Sequence, residues 1–317
     1  MRPVRSLSCI VPCFNEAENL EQLLPRLSEQ LVRLAARWEI VLVDDGSTDA
    51  TAMRMSHWAQ YPGVRVLQLS RNFGKEAALT AGLEAAAGEV VVLMDADLQH
   101  PPAMLDIFVR HWRAGADVVY AVREHRRDEG LFKRMAAGWF YGMVNGNGRF
   151  KVPPGAGDFR LMDRTVVQAL LALPERNRFM KGLYAWVGFT AVAVPYMPEE
   201  RGHGQSHYSK LRLLRLAMDG LFAFTLWPLR VVILLGFLLA LAAFAYGAYL
   251  SAVYMLSGHV VSGWTTIVVS LMLFSGIQLV SLGVVGEYVG RIYEESKRRP
   301  IYVVKRELGQ GLQRGEP

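Results

Sequence analysis

Two aspartates separated by one residue could hold a divalent metal ion. Asp95 and Asp97 follow the apolar run Val90–Met94, and Gln99 adds a neutral oxygen ligand two positions later. Mg²⁺ is commonly held by one or two carboxylates together with the phosphates of a substrate. An isolated Asp-x-Asp also occurs in ordinary acidic turns, so the position at the end of a strand carries the interpretation of a metal site.

Three further polar segments follow apolar runs in the same way. They are Pro12–Glu16, Asp44–Asp49 and Ser70–Lys75. Strand-like and helix-like patterns alternate through this region, which predicts a mostly parallel sheet with helices on both faces. Ligands of such sheets bind beyond the carboxyl ends of the strands, so we expect the four polar segments to converge on one crevice.

The strands predicted ahead of these segments are short. The predicted strands are Leu7–Pro12, Glu39–Val43, Val64–Leu69, Val90–Met94 and Val118–Val122. A leucine stripe from Leu20 to Leu34 predicts the first helix, with Pro25 expected to begin or kink it. Phe73–Ala87 and Pro102–Ala114 predict the next helices. Asp49 is expected to cap the helix that follows it, and Asp44 and Asp45 are also compatible with turn chemistry around Gly46.

Composition excludes several classes of protein. The 317 residues are 52% hydrophobic and 20% charged, which is too apolar for a disordered chain. The two cysteines, Cys9 and Cys13, lie too close together in one segment for a disulfide scaffold and lack the partner pair of a zinc site. A net charge of 35 − 29 = +6 is compatible with nucleic acid, phosphate ligands or a membrane surface.

Two uncharged stretches predict transmembrane helices. Val231–Leu256 has 26 residues and Trp264–Gly286 has 23 residues without a charge. About 20 apolar residues span a bilayer, and the alternative is a pair of buried core helices. The linker between the stretches has no Lys or Arg, whereas the outer flanks are basic. The positive-inside rule then predicts a hairpin with the catalytic part and both termini in the cytoplasm.

Two amphipathic segments are expected to account for the basic excess at a membrane surface. Ser206–Phe224 carries one apolar stripe next to the first span and predicts an interfacial helix. Leu131–Met143 is similar, and an ordinary surface helix remains an equal alternative for it. Because these segments explain the positive charge, no nucleic-acid partner is expected.

The motifs resemble a known family of enzymes. Asn15-Glu16, Asp44–Asp49, Arg71–Lys75 and Asp95–Pro101 are similar to motifs of the family 2 glycosyltransferases, which have a GT-A nucleotide-sugar domain. Gly157–Arg160, Arg178–Trp186, Arg201–Lys210 and Gly286–Tyr293 resemble the polyprenyl-phosphate branch of that family, the bactoprenol glucosyltransferases and dolichyl-phosphate mannose synthases. Two spans after the catalytic domain are similar to the bactoprenol type.

The resemblance implies an α/β fold, a Rossmann-like GT-A domain with a mostly parallel sheet, followed by amphipathic interfacial helices and a two-helix transmembrane hairpin. It implies inverting transfer of a sugar, most simply glucose from UDP-glucose, to undecaprenyl phosphate at the inner membrane of the cell. The implied segments are a catalytic domain at 1–205, a juxtamembrane helix at 206–225, two spans within 226–290 and a cytoplasmic tail at 291–317. A homo-oligomer is also implied.

The resemblance assigns roles to individual residues. Mg²⁺ or Mn²⁺ would be held by Asp95, Asp97 and Gln99. Catalysis is assigned to Asp97, Asp158 and Arg160. The nucleotide-sugar would be bound by Pro12, Phe14, Glu16, Asp44, Asp45, Lys75, Asp95, Ala96, Arg123, Arg201 and His207. Charge stabilisation of the phosphates separately predicts cations near the lipid phosphate, and Arg123, Arg126, Lys133 and Arg160 are the candidates. An ordinary solvated basic face is the alternative for these cations, and an equal alternative for Arg126.

The chain departs from the family pattern at two positions. The family usually has Tyr at the position of Phe14 and Lys at the position of His207, and a histidine is only partly charged near neutral pH. The sugar and the base stay open, with GDP-mannose, UDP-N-acetylglucosamine and UDP-amino-arabinose as other donors. A processive synthase is disfavoured because no Gln-x-x-Arg-Trp follows the Asp-x-Asp. A non-catalytic scaffold and a channel subunit are the remaining alternatives.

Overall fold

A computed structural model describes residues 3–123, 156–176, 178–197, 227–257 and 263–313 of the chain. The chain divides into two compact units. One unit, Met1–Ala217 with Arg299–Pro317, contains a sheet covered by helices, and the other, Met218–Arg298, contains two long helices. The sheet unit therefore takes segments from both sides of the helical unit in the sequence.

The described residues form eight strands and eight helices. The strands are β1 Ser6–Cys13, β2 Arg37–Asp44, β3 Val64–Leu69, β4 Val90–Leu93, β5 Val118–Arg123, β6 Ala156–Asp163, β7 Ala191–Tyr196 and β8 Val304–Gly309. The helices are α1 Ala17–Leu34, α2 Thr51–Trp58, α3 Lys75–Ala85, α4 Met104–Arg113, α5 Arg164–Leu171, α6 Met180–Trp186, α7 Trp227–Ser257 and α8 Trp264–Ser296. All five strands predicted from apolar runs are confirmed.

The eight strands form one sheet in the order β7-β5-β6-β4-β1-β2-β3-β8. Neighbours from β4 through β1 and β2 to β3 are parallel, as are β5 and β7. Strand β6 is antiparallel to both β4 and β5, and β8 is antiparallel to β3. The predicted mostly parallel sheet is confirmed, and the carboxyl ends of β3, β2, β1 and β4 form one continuous edge.

Burial on both faces explains why the central strands are apolar throughout. All four residues of β4 are buried, as are most of β1 and β2. Helices α1, α2 and α4 cover one face, and α3 and α5 cover the other. Pro25 lies inside α1 rather than at its start, and the helix continues through it. Proline has no N–H to donate to the carbonyl one turn earlier, and because Pro25 is exposed, water can donate to that carbonyl instead.

The predicted boundaries of the sheet domain differ from the structure at the C-terminal side. Residues 291–317 were expected to form a tail separate from the domain at 1–205, but Val304–Gly309 is the edge strand β8. The sequence Val-Lys-Arg-Glu-Leu-Gly is too charged to be recognised as a strand. Charged side chains are typical of edge strands, because they oppose pairing with other chains.

The second unit consists of the two long helices that the uncharged stretches predicted. By length and composition, both helices could cross a bilayer. The most apolar window of each helix is not buried against the rest of the described chain. Large side chains such as Phe244, Leu256 and Met272 are mostly exposed, which predicts an apolar environment around them. Helix α8 continues to Ser296, beyond the expected end at Gly286. The two predicted amphipathic helices lie outside the described residues.

Candidate active site

The four polar segments lie at the carboxyl ends of β1, β2, β3 and β4, as the sequence predicted. They are named here the β1 loop (residues 12–16), the β2 loop (44–49), the β3 loop (70–74) and the Asp-x-Asp loop (95–99). Side-chain hydrogen bonds join the first two. Asn15 has a positive φ of 59°, its N–H donates to Ser47 Oγ at 3.0 Å, and its Oδ1 accepts from Thr48 N–H at 2.9 Å. The N–H of Glu16 donates to Thr51 Oγ1 at 2.8 Å. These hydrogen bonds hold the β1 and β2 loops against each other.

Three predicted nucleotide-binding residues belong to the β1 loop. Pro12 is half-buried within the strand, and Phe14 is 36% exposed directly after it. The carboxylate of Glu16 accepts a hydrogen bond of 2.5 Å from Asn19 Nδ2, one turn into α1. Phe14 therefore offers an open aromatic surface at the crevice, whereas Glu16 is held against the start of the helix.

The aspartates at the end of β2, Asp44 and Asp45, accept hydrogen bonds from the backbone of the β2 and β3 loops. Asp44 Oδ1 accepts from Ser47 N–H at 2.9 Å. The carboxylate of Asp45 accepts from Phe73 N–H at 2.7 Å and from Gly74 N–H at 2.9 Å, which ties the β3 loop to the β2 loop. Both aspartates are 4% exposed. Burial raises the pKa of Asp45, and the two backbone amides oppose that rise.

The close approach of the same two loops requires glycine at position 46. Gly46 has a φ of +70°, and an added Cβ would lie 2.5 Å from the Asn72 nitrogen and would overlap the carbonyl carbon of Arg71. No other residue fits this backbone without moving the β3 loop. Gly46 therefore allows the β2 and β3 loops to approach each other closely.

The Asp-x-Asp loop follows β4 directly. Asp97 Oδ1 accepts from Gln99 N–H at 3.1 Å, and Leu98 between them has a positive φ of 64°. Ala96 is buried beside them, so its side chain supports the loop from below. Gln99 Oε1 accepts from Arg123 at 2.9 Å, which brings a cation from the end of β5 against this loop.

Lys75 links the Asp-x-Asp loop to β6. Its ammonium lies 2.6 Å from Asp95 Oδ1 and 2.9 Å from Asp158 Oδ2. Burial lowers the pKa of Lys75, but the two carboxylates more than offset this and leave the pKa well above its usual value. The predicted contact of Lys75 with the nucleotide-sugar stays a prediction, and the structure places its ammonium between the predicted metal ligand Asp95 and the predicted catalytic residue Asp158.

The carboxylates at the crevice fit a magnesium or manganese ion that also binds substrate. In the described residues, no three His, Cys, Asp or Glu side chains are grouped as a complete metal site. Asp95 and Asp97 provide two carboxylates on one loop, which suits a metal that takes its other ligands from phosphates and water. The ammonium of Lys75 beside Asp95 shows that this loop already accommodates a positive charge.

On β6, Arg160 is buried beside this cluster and Asp158 is partly buried. Burial by itself would raise the pKa of Asp158, but Lys75 and Lys181 outweigh it and hold that pKa well below its usual range. The Arg160 guanidinium lies 3.4 Å from the ring centroid of Tyr184 and donates to Gly157 O at 2.6 Å. Within the described part of the chain, Asp158 Oδ1, Arg160 Nε and the Tyr184 hydroxyl are buried without a hydrogen bond. Such unpaired groups indicate a place for a polar ligand or water.

A second partly buried carboxyl group, Glu76, accompanies Asp158. It lies in the first turn of α3 and accepts from Met180 N–H at 3.3 Å. Burial, with a further contribution from Asp158, raises the pKa of Glu76 to about 8. Glu76 was not among the predicted site residues, since a glutamate early in a helix is an ordinary feature of sequences.

The remaining predicted residues divide into two groups. Arg123 ends β5, its Nε–H lies 3.4 Å from the Tyr196 hydroxyl, and it is exposed at the crevice. The other cations, Arg126, Lys133, Arg201 and His207, lie outside the described residues. Arg160 is only 4% exposed, so its predicted contact with a lipid phosphate stays a prediction. Tyr184 lies in the segment Arg178–Trp186 that carries the resemblance, but no role was predicted for it or for Tyr196, because their positions at the site depend on contacts with distant strands.

Comparisons with known proteins place the chain among related sequences. Residues 8–171 match the model of Glycosyl transferase family 2. The chain is 44% identical over 299 residues, 94% of each chain, to an uncharacterized glycosyltransferase of Synechocystis sp.. It is 41% identical over 302 residues, 95% of this chain and 98% of the relative, to the bactoprenol glucosyl transferase of Shigella phage SfV. Glucosyl-3-phosphoglycerate synthase of Mycobacterium tuberculosis matches with a TM-score of 0.49 at 19% identity, covering 69% of this chain and 78% of that chain.

Proposed function

Because this chain belongs to glycosyl transferase family 2, we propose that it transfers a hexose from a nucleotide-sugar to a polyprenyl phosphate in a membrane. The observation that carries the proposal is the meeting of Asp95 and Asp158 on the ammonium of Lys75. This contact joins the loop suited to a metal diphosphate with a buried acid and cation on β6. Near-full-length relatives named bactoprenol glucosyl transferase support the choice of acceptor.

The reaction is a single displacement. A phosphate oxygen of the acceptor attacks the anomeric carbon, and the bond from that carbon to the nucleoside diphosphate breaks with its electron pair leaving on the diphosphate. The anomeric configuration is therefore inverted. The second pKa of a phosphate monoester is about 6, so the acceptor is mostly ionised at neutral pH and needs no strong base. Catalysis depends on positioning and on charge stabilisation.

The residues of the site divide these tasks. Asp45 holds the β3 loop, which begins the helix that presents Lys75. Lys75 keeps Asp158 ionised, so that Asp158 can orient the acceptor or accept a proton when the phosphate arrives protonated. Arg123 is exposed next to Gln99 and is available for a phosphate group. When bound at Asp95 and Asp97, Mg²⁺ or Mn²⁺ neutralises diphosphate charge and stabilises the leaving group.

The acceptor explains the two apolar helices. We place the enzyme in the cytoplasmic membrane as a multi-pass protein with its catalytic unit and both termini in the cytoplasm. Strand β8 follows α8 and belongs to the same sheet as β1. Because the chain must leave and rejoin one domain, two spans that return to the same side satisfy its connectivity. A homo-oligomer remains part of the proposal, with Gly276, Gly283 and Gly286 of α8 available for close helix packing.

UDP-glucose at the cytoplasmic leaflet is the proposed donor, on the names of the glucosyl transferase relatives. The experiment uses the purified full chain in lipid nanodiscs with undecaprenyl phosphate, Mn²⁺ or Mg²⁺ and a panel of labelled UDP- and GDP-sugars. Metal-dependent label in the organic phase from UDP-glucose is the expected result, and Asp97→Asn is the inactive control. Label from another sugar alone overturns the donor assignment, and no label from any donor overturns the proposed reaction.

A further inference from the structure

The segment after the helical unit, residues 300–313, is here named the C-terminal arm. Its strand β8 pairs with β3 from Arg65 opposite Gly309 to Leu69 opposite Val304. Arg65 Nε–H donates to Glu307 Oε1 at 2.6 Å across the pair. The side chain of Leu308 packs against the core of the sheet unit. The arm thus closes the edge of the sheet next to the strand that leads into the β3 loop.

The C-terminal arm packs closely against the sheet unit at positions where only glycine fits. Gly309 has a φ of +78°, and a Cβ there would lie 2.9 Å from the Ala59 carbonyl oxygen and would overlap that of Val64. Beyond it, Leu312 N–H donates to Oε2 of the fully buried Glu39 at 2.9 Å. A Cβ at Gly311 would overlap the same carboxylate oxygen. These close approaches show that the arm is a fitted part of the domain.

The other end of the arm reaches the β3 loop. Ser70 N–H donates to Val303 O at 2.9 Å, and the Tyr302 hydroxyl donates to Glu84 Oε2 at 2.5 Å on α3. Ser70 is the first residue of the loop whose last two amides, Phe73 and Gly74, are held by Asp45. The arm therefore holds the start of this loop, and Asp45 holds its end.

We propose that the C-terminal arm is a positioning element of the donor site. By fixing Ser70 it sets the path of the β3 loop, and this path places Lys75 between Asp95 and Asp158. The proposal rests on the proposed function in taking this crevice as the donor site. Since the arm is synthesised after both apolar helices, the chain completes its donor site only after the membrane segment is made. Donor binding therefore depends on a segment that follows the two apolar helices in the sequence.

The experiment displaces the arm in the full detergent-solubilised chain with Gly309→Val. UDP is the probe, its dissociation constant is measured by calorimetry, and hydrogen exchange is followed in peptides that cover 70–74. We expect UDP affinity to fall about tenfold, the equivalent of one to two hydrogen bonds. Exchange should rise in the β3 loop and remain unchanged in β1, which β2 and β3 separate from β8 in the sheet.

Gly115→Val is the matched control. Gly115 also has a positive φ, of 108°, but it lies before β5 and an added Cβ meets no atom within 4 Å. The control is expected to keep wild-type loop exchange and UDP affinity. Tyr302→Phe is a gentler variant that removes only the hydroxyl bond to Glu84, and a roughly threefold weakening is expected from that loss.

The outcomes separate the two proposals. Absence of UDP binding by the wild-type chain refutes the proposed function, whereas the loop exchange still tests the arm. Wild-type loop exchange and UDP affinity in Gly309→Val, with the arm itself exchanging freely, overturn the role of the arm. If Gly309→Val increases exchange throughout the sheet, Tyr302→Phe decides, and unchanged UDP affinity in that variant overturns the proposal.

Discussion

Replacing Lys75 by methionine is expected to destabilise the catalytic unit, and more at neutral than at acidic pH. The substitution keeps most of the length of the side chain and removes the ammonium that lies 2.9 Å from Asp158 and 2.6 Å from Asp95. Asp158 would then be a buried carboxylate without its main counter-charge. Its side chain is 13% exposed, so little water is available to replace the lost partner.

The magnitude follows from burial. Breaking a fully buried ion pair costs about 3–5 kcal/mol, and breaking an exposed pair costs about 0–1 kcal/mol. The Lys75 side chain is 34% exposed, so screening by solvent places the expected loss near 2 kcal/mol at pH 7.5. For a unit of roughly 150–250 residues this corresponds to a fall in Tm of about 4–8 °C.

The pH dependence gives the prediction its sign. In the wild-type chain the pKa of Asp158 lies below its unfolded value, so its stabilising effect is present above the unfolded pKa and is lost only as pH falls through the folded pKa. Without Lys75, burial dominates and raises that pKa, so stability falls as pH rises through it. Loss of Lys75 also raises the pKa of Glu76, because Lys75 lowers that pKa in the wild-type chain.

The assay is thermal unfolding of the detergent-solubilised chain at pH 4.5 and pH 7.5, followed by near-ultraviolet circular dichroism. Lys75→Arg keeps the positive charge and should lose less stability than Lys75→Met. Arg33→Met removes one partner of an exposed pair with Glu29 and should change Tm by no more than about 1–2 °C. Equal losses for Lys75→Met at the two pH values would refute the reasoning, as would no loss at pH 7.5.

Three further predictions concern the loops and the acceptor side. Asp97→Ala should lower transfer at least about 100-fold and abolish Mn²⁺ binding measured by electron paramagnetic resonance, with Tm unchanged; full activity would exclude Asp97 as a metal ligand. Gly46→Ala should lower Tm and weaken UDP binding, because its Cβ would collide with Arg71 and Asn72; wild-type calorimetric affinity would contradict this. His207→Lys should flatten any change of transfer rate between about pH 6 and 8, and an unaltered rate profile would show that His207 has no ionisable role.

Local pattern was sufficient for much of the fold and part of the site. The five apolar runs became strands because parallel strands covered on both faces have to be apolar along their whole length. Polar residues directly after those runs, such as Asp95 and Asp97, then had to lie at one edge of the sheet. The two uncharged stretches predicted long helices for a similar reason, since they have few polar side chains to place in water.

Local pattern was insufficient where a residue's role depends on a distant partner. Nothing in the sequence around Lys75 indicates its pairing with Asp158, which is 83 positions away in the chain. Nothing around Arg160 indicates that it is buried against Tyr184. Neither arrangement has a periodic signal, because each depends on how β6 and α6 meet α3.

The alternation of strands and helices, the acidic loop after β4 and the two apolar helices could be predicted, because each follows from the side chains of one short segment. Two features depend on tertiary contacts: a charged segment after α8 becomes the edge strand β8, and Val303 and Asp45 hold opposite ends of the β3 loop. Hydrogen bonds between backbones that are far apart in sequence leave almost no trace in residue type, since every residue other than proline carries the same donor and acceptor.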